Sequence, residues 1–392
     1  MVPNGWHSKP LVQLLDKIID YRGQSVPKSS SGIPLITARN VREGYLDFSN
    51  QEYVDESKFE EWMSRGTPQK GDILFTTEAP LGKACRFPSE GMYAVGQRTV
   101  TLRTNKKLDS EFLLYTILSE RGQQLIDLRS SGSTAKGIKS SELKKVKITY
   151  PESLPEQRKI AKILSTWDQA IATTERLIAT SQQQKKALMQ QLLTGKKRLV
   201  NPETGISFSG EWHHAELNAL LDYMQPTPYL VDSTDYDDSY STPVLTAGKS
   251  FILGYTNEEH GIYREKLPVI IFDDFTTDSK FVDFAFKAKS SAMKILSARK
   301  GVSIKYVFEA MNMINFKIGG HQRHWISIFS NLVIPVPNID EQQKIASVLT
   351  AADQEIELLE AKLAHLKDEK KALMQQLLTG KRRVNVDAAE VA

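Results

Sequence analysis

The chain has little of what secreted, membrane-embedded or redox-active proteins need. Its 392 residues contain a single cysteine, Cys85, which excludes a disulfide framework and is typical of a reducing compartment. No run approaches the roughly 18 consecutive apolar residues of a membrane-spanning helix. The first residues contain neither the basic nor the apolar segment of a signal peptide. We therefore expect a soluble protein of the cytoplasm, without a membrane partner.

Recognisable catalytic motifs are missing as well. There is no Gly-x-Gly-x-x-Gly and no Asn/Asp-Pro-Pro-Tyr/Phe motif of amino-methyltransferases. Gly248-Lys249-Ser250 resembles the end of a phosphate-binding loop, but Pro243 stands where that motif needs its first glycine. Asp273, Asp274 and Asp278 offer metal ligands, yet a nuclease would add a nearby Glu-x-Lys triplet, and Glu360-Ala361-Lys362 falls on a predicted long helix. We therefore predict no catalytic residues and no metal site.

Composition is otherwise ordinary for a globular protein. Hydrophobic residues make up 40% of the chain, which is enough for real cores, and the length suggests two to three domains. The formal net charge is +4 and the sequence pI is about 8.8. This mild basicity is compatible with a nucleic-acid partner without establishing one.

One long stretch occurs twice at a constant offset of 185 residues. The copies run from Pro155 to Lys196 and from Asp340 to Lys381, and their last twelve residues are identical. Each copy alternates mainly apolar residues three and four apart, which predicts a coiled-coil seam. The seam positions are Ile171, Thr174, Ile178, Ser181, Lys185, Leu188 and Leu192 in the first copy, and Ile356, Leu359, Leu363, Leu366, Lys370, Leu373 and Leu377 in the second.

The ends of both copies carry helix signals. Ser153-x-x-Glu156 and Asn338-x-x-Glu341 resemble capping boxes, and Gly195 and Gly380 stand where a terminal glycine belongs. We predict long helices over 153–196 and 338–381, each about 60 Å long at about 1.5 Å per residue. Residues 197–210 form a linker and 382–392 a tail.

An apolar seam needs a partner, and we expect the two helices to pair as an antiparallel coiled coil. The alternative is that they are ordinary core helices. Packing alone does not explain why polar positions are repeated too, so we predict that the same partner binds both copies. The predicted partner-binding residues are Lys186, Gln190, Gln191, Lys371, Gln375 and Gln376.

The segments before the helices, 1–152 and 211–337, are distantly related to each other. Trp6-His7-x3-Leu11 returns as Trp212-His213-x3-Leu217, and the apolar runs at 34–38 and 73–77 return at 243–247 and 270–274. Such runs between turn signals predict strands. Helical pieces are expected at 111–128 and 292–296. The fold class is therefore α+β, with two globular domains separated by the paired long helices.

Basic and amide side chains suggest DNA contacts in both domains. A glycine-, serine- and lysine-rich loop at 129–141 and a basic stretch at 287–323 suit phosphates, whereas arginine, asparagine and glutamine on loops suit base edges. The alternative is a merely solvated basic face. The predicted phosphate contacts are Arg129, Ser133, Lys136, Lys139, Lys249, Lys287, Lys289 and Lys294; the predicted base contacts are Arg39, Asn40, Arg42, Gln97, Arg98, Gln322 and Arg323.

Two divergent domains, each followed by a helix of the form Glu-Gln-x-x-Ile-Ala…Leu-Met-Gln-Gln-Leu-Leu-Thr-Gly-Lys, closely resemble the specificity (S) subunit of type I restriction-modification systems. The resemblance covers essentially the whole chain. It implies that 1–152 and 211–337 are target-recognition domains, each reading one half of a split, asymmetric DNA site, with the helices as a spacer.

The resemblance also implies partners. Two methyltransferase subunits would dock along the helices and bring S-adenosylmethionine and the catalytic residues, so that this chain itself binds no cofactor. Motor-nuclease subunits would complete the restriction enzyme. Two alternatives stay open from the residues alone: an enzyme with a cryptic active site, and a coiled-coil scaffold without a DNA role.

Overall fold

The computed structural model describes residues 2–132, 136–246, 250–314 and 324–386. The chain forms two compact units: a first unit of Met1–Thr174 with Lys362–Ala392, and a second unit of Glu175–Ala361. Each unit combines one globular domain with part of both long helices. The sequence predicts each long helix as a separate segment, whereas in the structure each helix is shared between the two units. Among the described residues, no helix has the length and apolar character needed to cross a membrane.

Among its described residues, the first globular domain contains ten strands, four short α-helices and three 3-10 helices before its long helix. The strands are β1 Trp6–Pro10, β2 Leu15–Asp20, β3 Lys28–Ser29, β4 Ile33–Ile36, β5 Glu52–Val54, β6 Ile73–Thr76, β7 Ala84–Arg86, β8 Ala94–Val95, β9 Thr99–Thr104 and β10 Lys147–Pro151. The helices are α1 Phe59–Trp62, α2 Ser110–Leu118, α3 Glu120–Asp127 and α4 Ser140–Leu143, and α5 is the long helix Leu154–Leu192.

The second domain follows the same plan with fewer elements. Its strands are β11 His213–Glu216, β12 Leu221–Met224, β13 Thr242–Leu245, β14 Ile252–Thr256, β15 Val269–Asp273, β16 Ser279–Val282, β17 Lys287–Ala288, β18 Met293–Ala298 and β19 Val333–Val336. Its helices are α6 Leu217–Leu220, α7 Ile304–Asn312 and α8 His324–Ser327, and α9 is the second long helix, Ile339–Leu377.

Three sheets in one unit correspond to three in the other. The main antiparallel sheets have the orders β2-β9-β6-β7 and β12-β18-β15-β16. The second sheets, β3-β5-β4-β8 and β14-β13-β17, each contain one parallel pair, β4 with β8 and β13 with β17. In both domains the first strand pairs antiparallel with the last, β1 with β10 and β11 with β19. The distant repeat in the sequence is thus a repeat of topology.

Two predicted helical pieces differ from the observed elements. The stretch 292–296 was interpreted as helix but belongs to β18, because Ile295 and Leu296 pair with β15 in the middle of a sheet. The stretch 111–128 is helical but breaks at Ser119, whose side chain accepts a hydrogen bond from Gly122 N and caps α3. A Cβ on Gly122 would lie 2.0 Å from the carbonyl oxygen of Thr116, so only glycine fits this close turn.

The long helices have the predicted ends. The side chains of Ser153 and Asn338 accept hydrogen bonds from the amides of Glu156 and Glu341, at 3.4 and 2.9 Å. After the last turns, Gly195 and Gly380 adopt left-handed φ values of 71° and 69°. The reciprocal half of each capping box does not form, because the two glutamate side chains bind arginines instead, as described below.

The predicted seam is the protected stripe of each long helix. All seven seam positions from Ile171 to Leu192, and all seven from Ile356 to Leu377, are partly or fully buried, while most residues between them are exposed. In the second unit Lys185 Nζ lies 2.5 Å from Asp353 Oδ1, and in the first unit Lys370 makes the repeat-related ion pair with Asp168. In each unit the late part of one helix meets the early part of the other, so the segments run antiparallel.

Each globular core closes on the helices. In the first unit, Phe112 of α2 belongs to the cluster that contains Ile160 and Leu164 of α5 and Leu377 of α9. In the second, Tyr306 of α7 packs in the cluster of Leu192, Ile345 and Leu349. Each large apolar side chain that is buried in this way stabilises the folded state by about 1.5–3 kcal/mol relative to leaving it exposed. The helices are therefore integral to both cores.

Candidate nucleic-acid interface

The loop between β4 and β5 is braced from inside by Asn40. Its side-chain oxygen accepts hydrogen bonds from the amide and hydroxyl of Thr37 at 2.9 and 2.8 Å, and its nitrogen donates to the carbonyls of Asp47 and Asn50, both at 2.9 Å. Asn40 is 1% exposed. The structure contradicts the prediction that Asn40 contacts a base, because its amide is already satisfied within the loop. Its role is to hold the neighbouring residue, Arg39, on the surface.

Arg39 meets two other predicted base-contacting residues around one cavity. The cavity, of about 270 Å³, is lined by Arg39, Gln97 and Arg98 among others. Parallel pairing of Ile36 with Val95 brings the ends of β4 and β8 to the same sheet edge, and the loops that follow therefore lie side by side. In the part of the chain that the structure describes, Arg39 is exposed and makes no ion pair. A cation flanked by an amide in this way can offer several donors to a base edge.

A short turn after β6 connects this group to the predicted phosphate loop. The amide of Thr77 donates to the carbonyl of Arg98 at 3.0 Å, and the carbonyl of Thr77 accepts from the amide of Ile138 at 2.9 Å. Glu78 forms a bridge with Gly137 and an ion pair with Arg98 at 3.1 Å. Two clusters that are about forty residues apart in the sequence thus form one continuous surface.

Most other predicted cations of the first unit are surface residues paired with carboxylates. Such exposed pairs contribute about 0–1 kcal/mol to stability. Arg42 pairs with Asp47. Hydrogen bonds from Ser49, and after them the contact with Arg42, lower the pKa of the Asp47 carboxyl to about 2. The remaining pairs are Arg129 with Glu142 and Lys136 with Asp127, and Lys139 is exposed. Their predicted phosphate contacts stay predictions; Ser133 lies outside the described residues.

In the second unit, Lys287 does not reach the surface. Its side chain is 0% exposed, with Nζ 2.5 Å from Glu258 Oε2 and 2.8 Å from the carbonyl oxygen of His260. Burial would raise the pKa of Glu258, but Lys287 and backbone amides hold it below its ordinary value. The prediction that Lys287 contacts a phosphate is contradicted, because its ammonium is buried and already serves as the counter-charge of Glu258. Asp232, Glu258 and His260 lie close enough together to hold a metal ion, but the glutamate of this group is already paired with Lys287.

Lys294 is likewise buried, which contradicts its predicted phosphate contact. Its side chain is 1% exposed, and Nζ lies 3.3 Å from Asp274 Oδ2 and 3.0 Å from Gln225 Oε1. Asp274 also accepts a hydrogen bond from the amide of Trp325 at 2.8 Å. Asp273 caps the turn that follows β15. Asp278 accepts a hydrogen bond from the amide of Ser279 at 3.0 Å and pairs with Lys280 at 3.4 Å. All three aspartates that offered metal ligands thus have partners within the chain.

Lys289 is the predicted phosphate contact of the second unit that remains exposed among the described residues. Its amide donates to the carbonyl of Leu245 at 2.8 Å, as the amide of Gly96 does to Ile36 in the first unit. Lys289 therefore begins the loop that corresponds to the one carrying Gln97 and Arg98. Its Nζ lies 5.9 Å from the ring centroid of Tyr236. Three further predicted contacts, Lys249, Gln322 and Arg323, lie outside the described residues.

The comparison with protein families decides between the classes that the sequence leaves open. The family model described as the type I restriction modification DNA specificity domain matches the chain twice, at residues 24–181 and 211–368. The chain belongs to this family. It is thus a type I specificity subunit, the non-catalytic DNA-recognition component of such systems.

Individual relatives agree with this assignment. The specificity subunit of the type I enzyme EcoR124I/EcoR124II from Escherichia coli is 52% identical over 143 residues, a segment that covers 35% of each chain. A putative specificity subunit, MjaX, from Methanocaldococcus jannaschii is 26% identical over 98% of this chain and 95% of its own. The solved S subunit from M. genitalium has the same fold, with a TM-score of 0.66 at 15% identity over 96% of this chain and 97% of that one.

The specificity subunit exposes all six residues predicted to bind a partner: Lys186, Gln190, Gln191, Lys371, Gln375 and Gln376. In the first unit, Lys371 and Gln375 line a groove of about 660 Å³ together with apolar side chains such as Met374 and Leu378. Gln375 also donates a hydrogen bond to Glu120 at 3.0 Å. Exposure leaves these residues available to a partner, and their role stays a prediction.

Sequence reasoning missed the residues that tie the helices to the domains. In the second unit Arg198 binds both carboxylate oxygens of Glu341 at 2.6 Å, and in the first unit Arg383 binds Glu156 at 2.6 and 2.7 Å. Both pairs obey the offset of 185 residues. Opposite charges repeated at that offset were a readable signal, because Arg198 and Arg383 follow the identical block in both copies.

Proposed function

We propose that this specificity subunit reads a bipartite, asymmetric DNA site, one half with each unit. The observation that carries the proposal is the pair of topologically equivalent domains whose corresponding loops differ in side chains. In the first unit these loops present Arg39, Gln97 and Arg98, and in the second the corresponding loop presents Lys289. Different donors on one scaffold read different base sequences.

We further propose that two methyltransferase subunits dock on the repeated helix surface. The identical block places the same exposed lysine and glutamines on both helices, which suits one kind of partner binding twice. The partners would bring S-adenosylmethionine and the catalytic residues, and this chain would bind no cofactor itself. Motor-nuclease subunits would join for restriction. We propose the cytoplasm as the location of the complex, because it acts on DNA.

The test is to map methylated adenines in DNA modified by the complex reconstituted with its methyltransferase. The expected result is methylation within one split sequence with a fixed gap, and none with the pure chain alone. Methyl transfer by the isolated chain would support the cryptic-enzyme alternative. A complex that methylates without sequence preference, or that has no affinity for DNA, would overturn the recognition role and favour the scaffold.

A further inference from the structure

The turn between β15 and β16 holds an aromatic ring out of the second unit. Phe275 is 45% exposed. Its amide donates to Asp273 Oδ1 at 2.9 Å, and the hydroxyl of Thr276 donates to Asp273 Oδ2 at 2.6 Å. The amide of Thr277 closes the turn on the carbonyl of Asp273 at 2.9 Å. These hydrogen bonds fix the backbone of the turn, and they therefore hold the ring of Phe275 at a defined position on the surface of the second unit.

The anchor beneath the turn is polar and buried. Asp274 and Lys294 are each 1% exposed and form an ion pair at 3.3 Å through Asp274 Oδ2, and the amide of Trp325 donates a hydrogen bond to Asp274 Oδ1 at 2.8 Å. Desolvating two charges is costly, and a nonpolar pair of similar volume is often at least as stable. This anchor therefore contributes geometry more than stability: it fixes the position of the residue that follows, Phe275.

The turn corresponds to the one that joins the two candidate loops of the first unit. Ile73 pairs with Leu102 as Ile270 pairs with Leu296. One residue beyond each strand, Thr77 N donates to the carbonyl of Arg98, and Asp274 N donates to that of Ala292. Phe275 therefore stands in the place of Glu78, which lies beside Arg98 on the surface proposed to meet DNA.

We propose that Phe275 is a specificity-determining residue that contacts the 5-methyl group of a thymine in the half-site read by the second unit. This inference rests on the proposed function. A phenyl ring has no hydrogen-bonding group, so it cannot distinguish bases by donors and acceptors. In the major groove the thymine methyl is the apolar group that base edges offer, and apolar contact with it is a direct form of readout.

The experiment replaces each thymine of the second half-site, one at a time, by deoxyuridine, which lacks only the methyl group. Binding is measured with the full chain in its methyltransferase complex. For the wild type, one replacement should weaken binding about fourfold, the effect of one buried methyl-sized group. Phe275→Ala should bind the thymine and deoxyuridine duplexes equally. Phe275→Leu, which keeps an apolar side chain, should retain part of the difference.

Phe284→Ala is the matched control, since Phe284 is another partly exposed phenylalanine of the second unit, at 37%. It should discriminate like the wild type. The inference is overturned if Phe275→Ala keeps the discrimination, if no single replacement affects the wild type, or if the second half-site contains no thymine. An equal loss on both duplexes would mean that the ring acts without reading the methyl. Absence of any preference for the cognate over a scrambled duplex would instead overturn the proposed function.

Discussion

In the first unit, Asp168 of α5 accepts a hydrogen bond from the hydroxyl of Tyr115 at 2.6 Å; in the second, Asp353 of α9 meets the ammonium of Lys305 at 3.2 Å. Both aspartates also pair with the seam lysine of the opposite helix. The helix-to-helix contact is thus the same twice, while the contact from the domain has changed its chemistry.

In the second unit the domain's contact to the aspartate comes from Lys305, one turn before the position that corresponds to Tyr115, and the charge of this lysine is compensated nearby. Glu309 occupies the position in α7 that Tyr115 has in α2, and it pairs with Lys305 at 2.8 Å and with Lys185 at 3.2 Å. Burial would lower the pKa of Lys305, but Glu309 and Asp353 raise it, so the cation persists. Burial and the bond to Asp168 raise the pKa of Tyr115, which keeps its hydroxyl a donor. In both units the aspartate of the long helix has a hydrogen-bonding partner from the globular domain, and the two domains supply that partner with different side chains.

The largest expected effect comes from changing what the units share, the length of the long helices. α5 begins in the first unit and ends in the second, and α9 does the reverse. Inserting seven residues into the middle of each helix keeps the seam in register and adds about 10 Å. We expect the gap between half-sites to grow by up to about three base pairs, at about 3.4 Å each, with both half-site sequences unchanged.

Methylation mapping on the double-insertion complex gives the answer. Insertion in one helix only is the control, and it should cost stability because the seam is then mismatched. An active complex that keeps the original gap would show that the helices connect the units without setting the distance between half-sites.

The repeat-related arginines allow a matched comparison of stability. Arg198→Ala leaves the fully buried Glu341 without its counter-charge, and we expect a loss of about 3–5 kcal/mol in the free energy of unfolding. Arg383→Ala should cost less, because half of the Arg383 side chain is exposed and water can replace it. Urea unfolding of both variants measures the difference, with exposed Lys197→Ala as control. Equal losses would show that burial does not distinguish the pairs.

Base reading should be confined to one half-site per unit. Arg98→Ala should reduce discrimination by about 1–3 kcal/mol at one position of the first half-site. Preferences in the second half-site, measured on the same molecule, are the internal control. Since the variant also frees Glu78, Glu78→Ala is the matched change and should leave discrimination intact. Loss of preference in both variants would mean that the turn, rather than the arginine, matters.

The smallest expected effect separates exposed from buried lysines of the second unit. If Lys289 meets one phosphate, Lys289→Ala should flatten the slope of log affinity against log salt by about 0.9. Lys287→Met should leave that slope unchanged while lowering the thermal unfolding midpoint, because Glu258 loses its partner. Binding titrations over a series of salt concentrations decide this, and an unchanged slope for Lys289→Ala would assign it to a solvated face.

Repetition made the helices, the fold class and the domain repeat predictable, because periodic apolar positions and paired strands depend on local pattern. The individual contacts were less accessible. Lys287 and Lys289 are two residues apart and equally basic, yet one is buried and one exposed, because β17 ends at Ala288 and Lys289 already lies in the loop that follows. Asn40 looked like a base reader because its type suits adenine, and only the tertiary course of the loop shows its amide turned inward.

The division of the chain into units has a consequence for synthesis. The second unit is one continuous stretch, Glu175–Ala361, whereas the first needs residues from both chain ends. The core of the first unit includes Leu377 and Leu378, which come from the end of α9. Arg383, which follows α9, binds both Glu156 and the carbonyl of Asn4. Domains generally fold as they leave the ribosome, the N-terminal one first. We expect the reverse order here, because the second unit has every residue it needs once translation has reached Ala361, whereas the first unit is complete only after the segment that begins at Lys362 has been made.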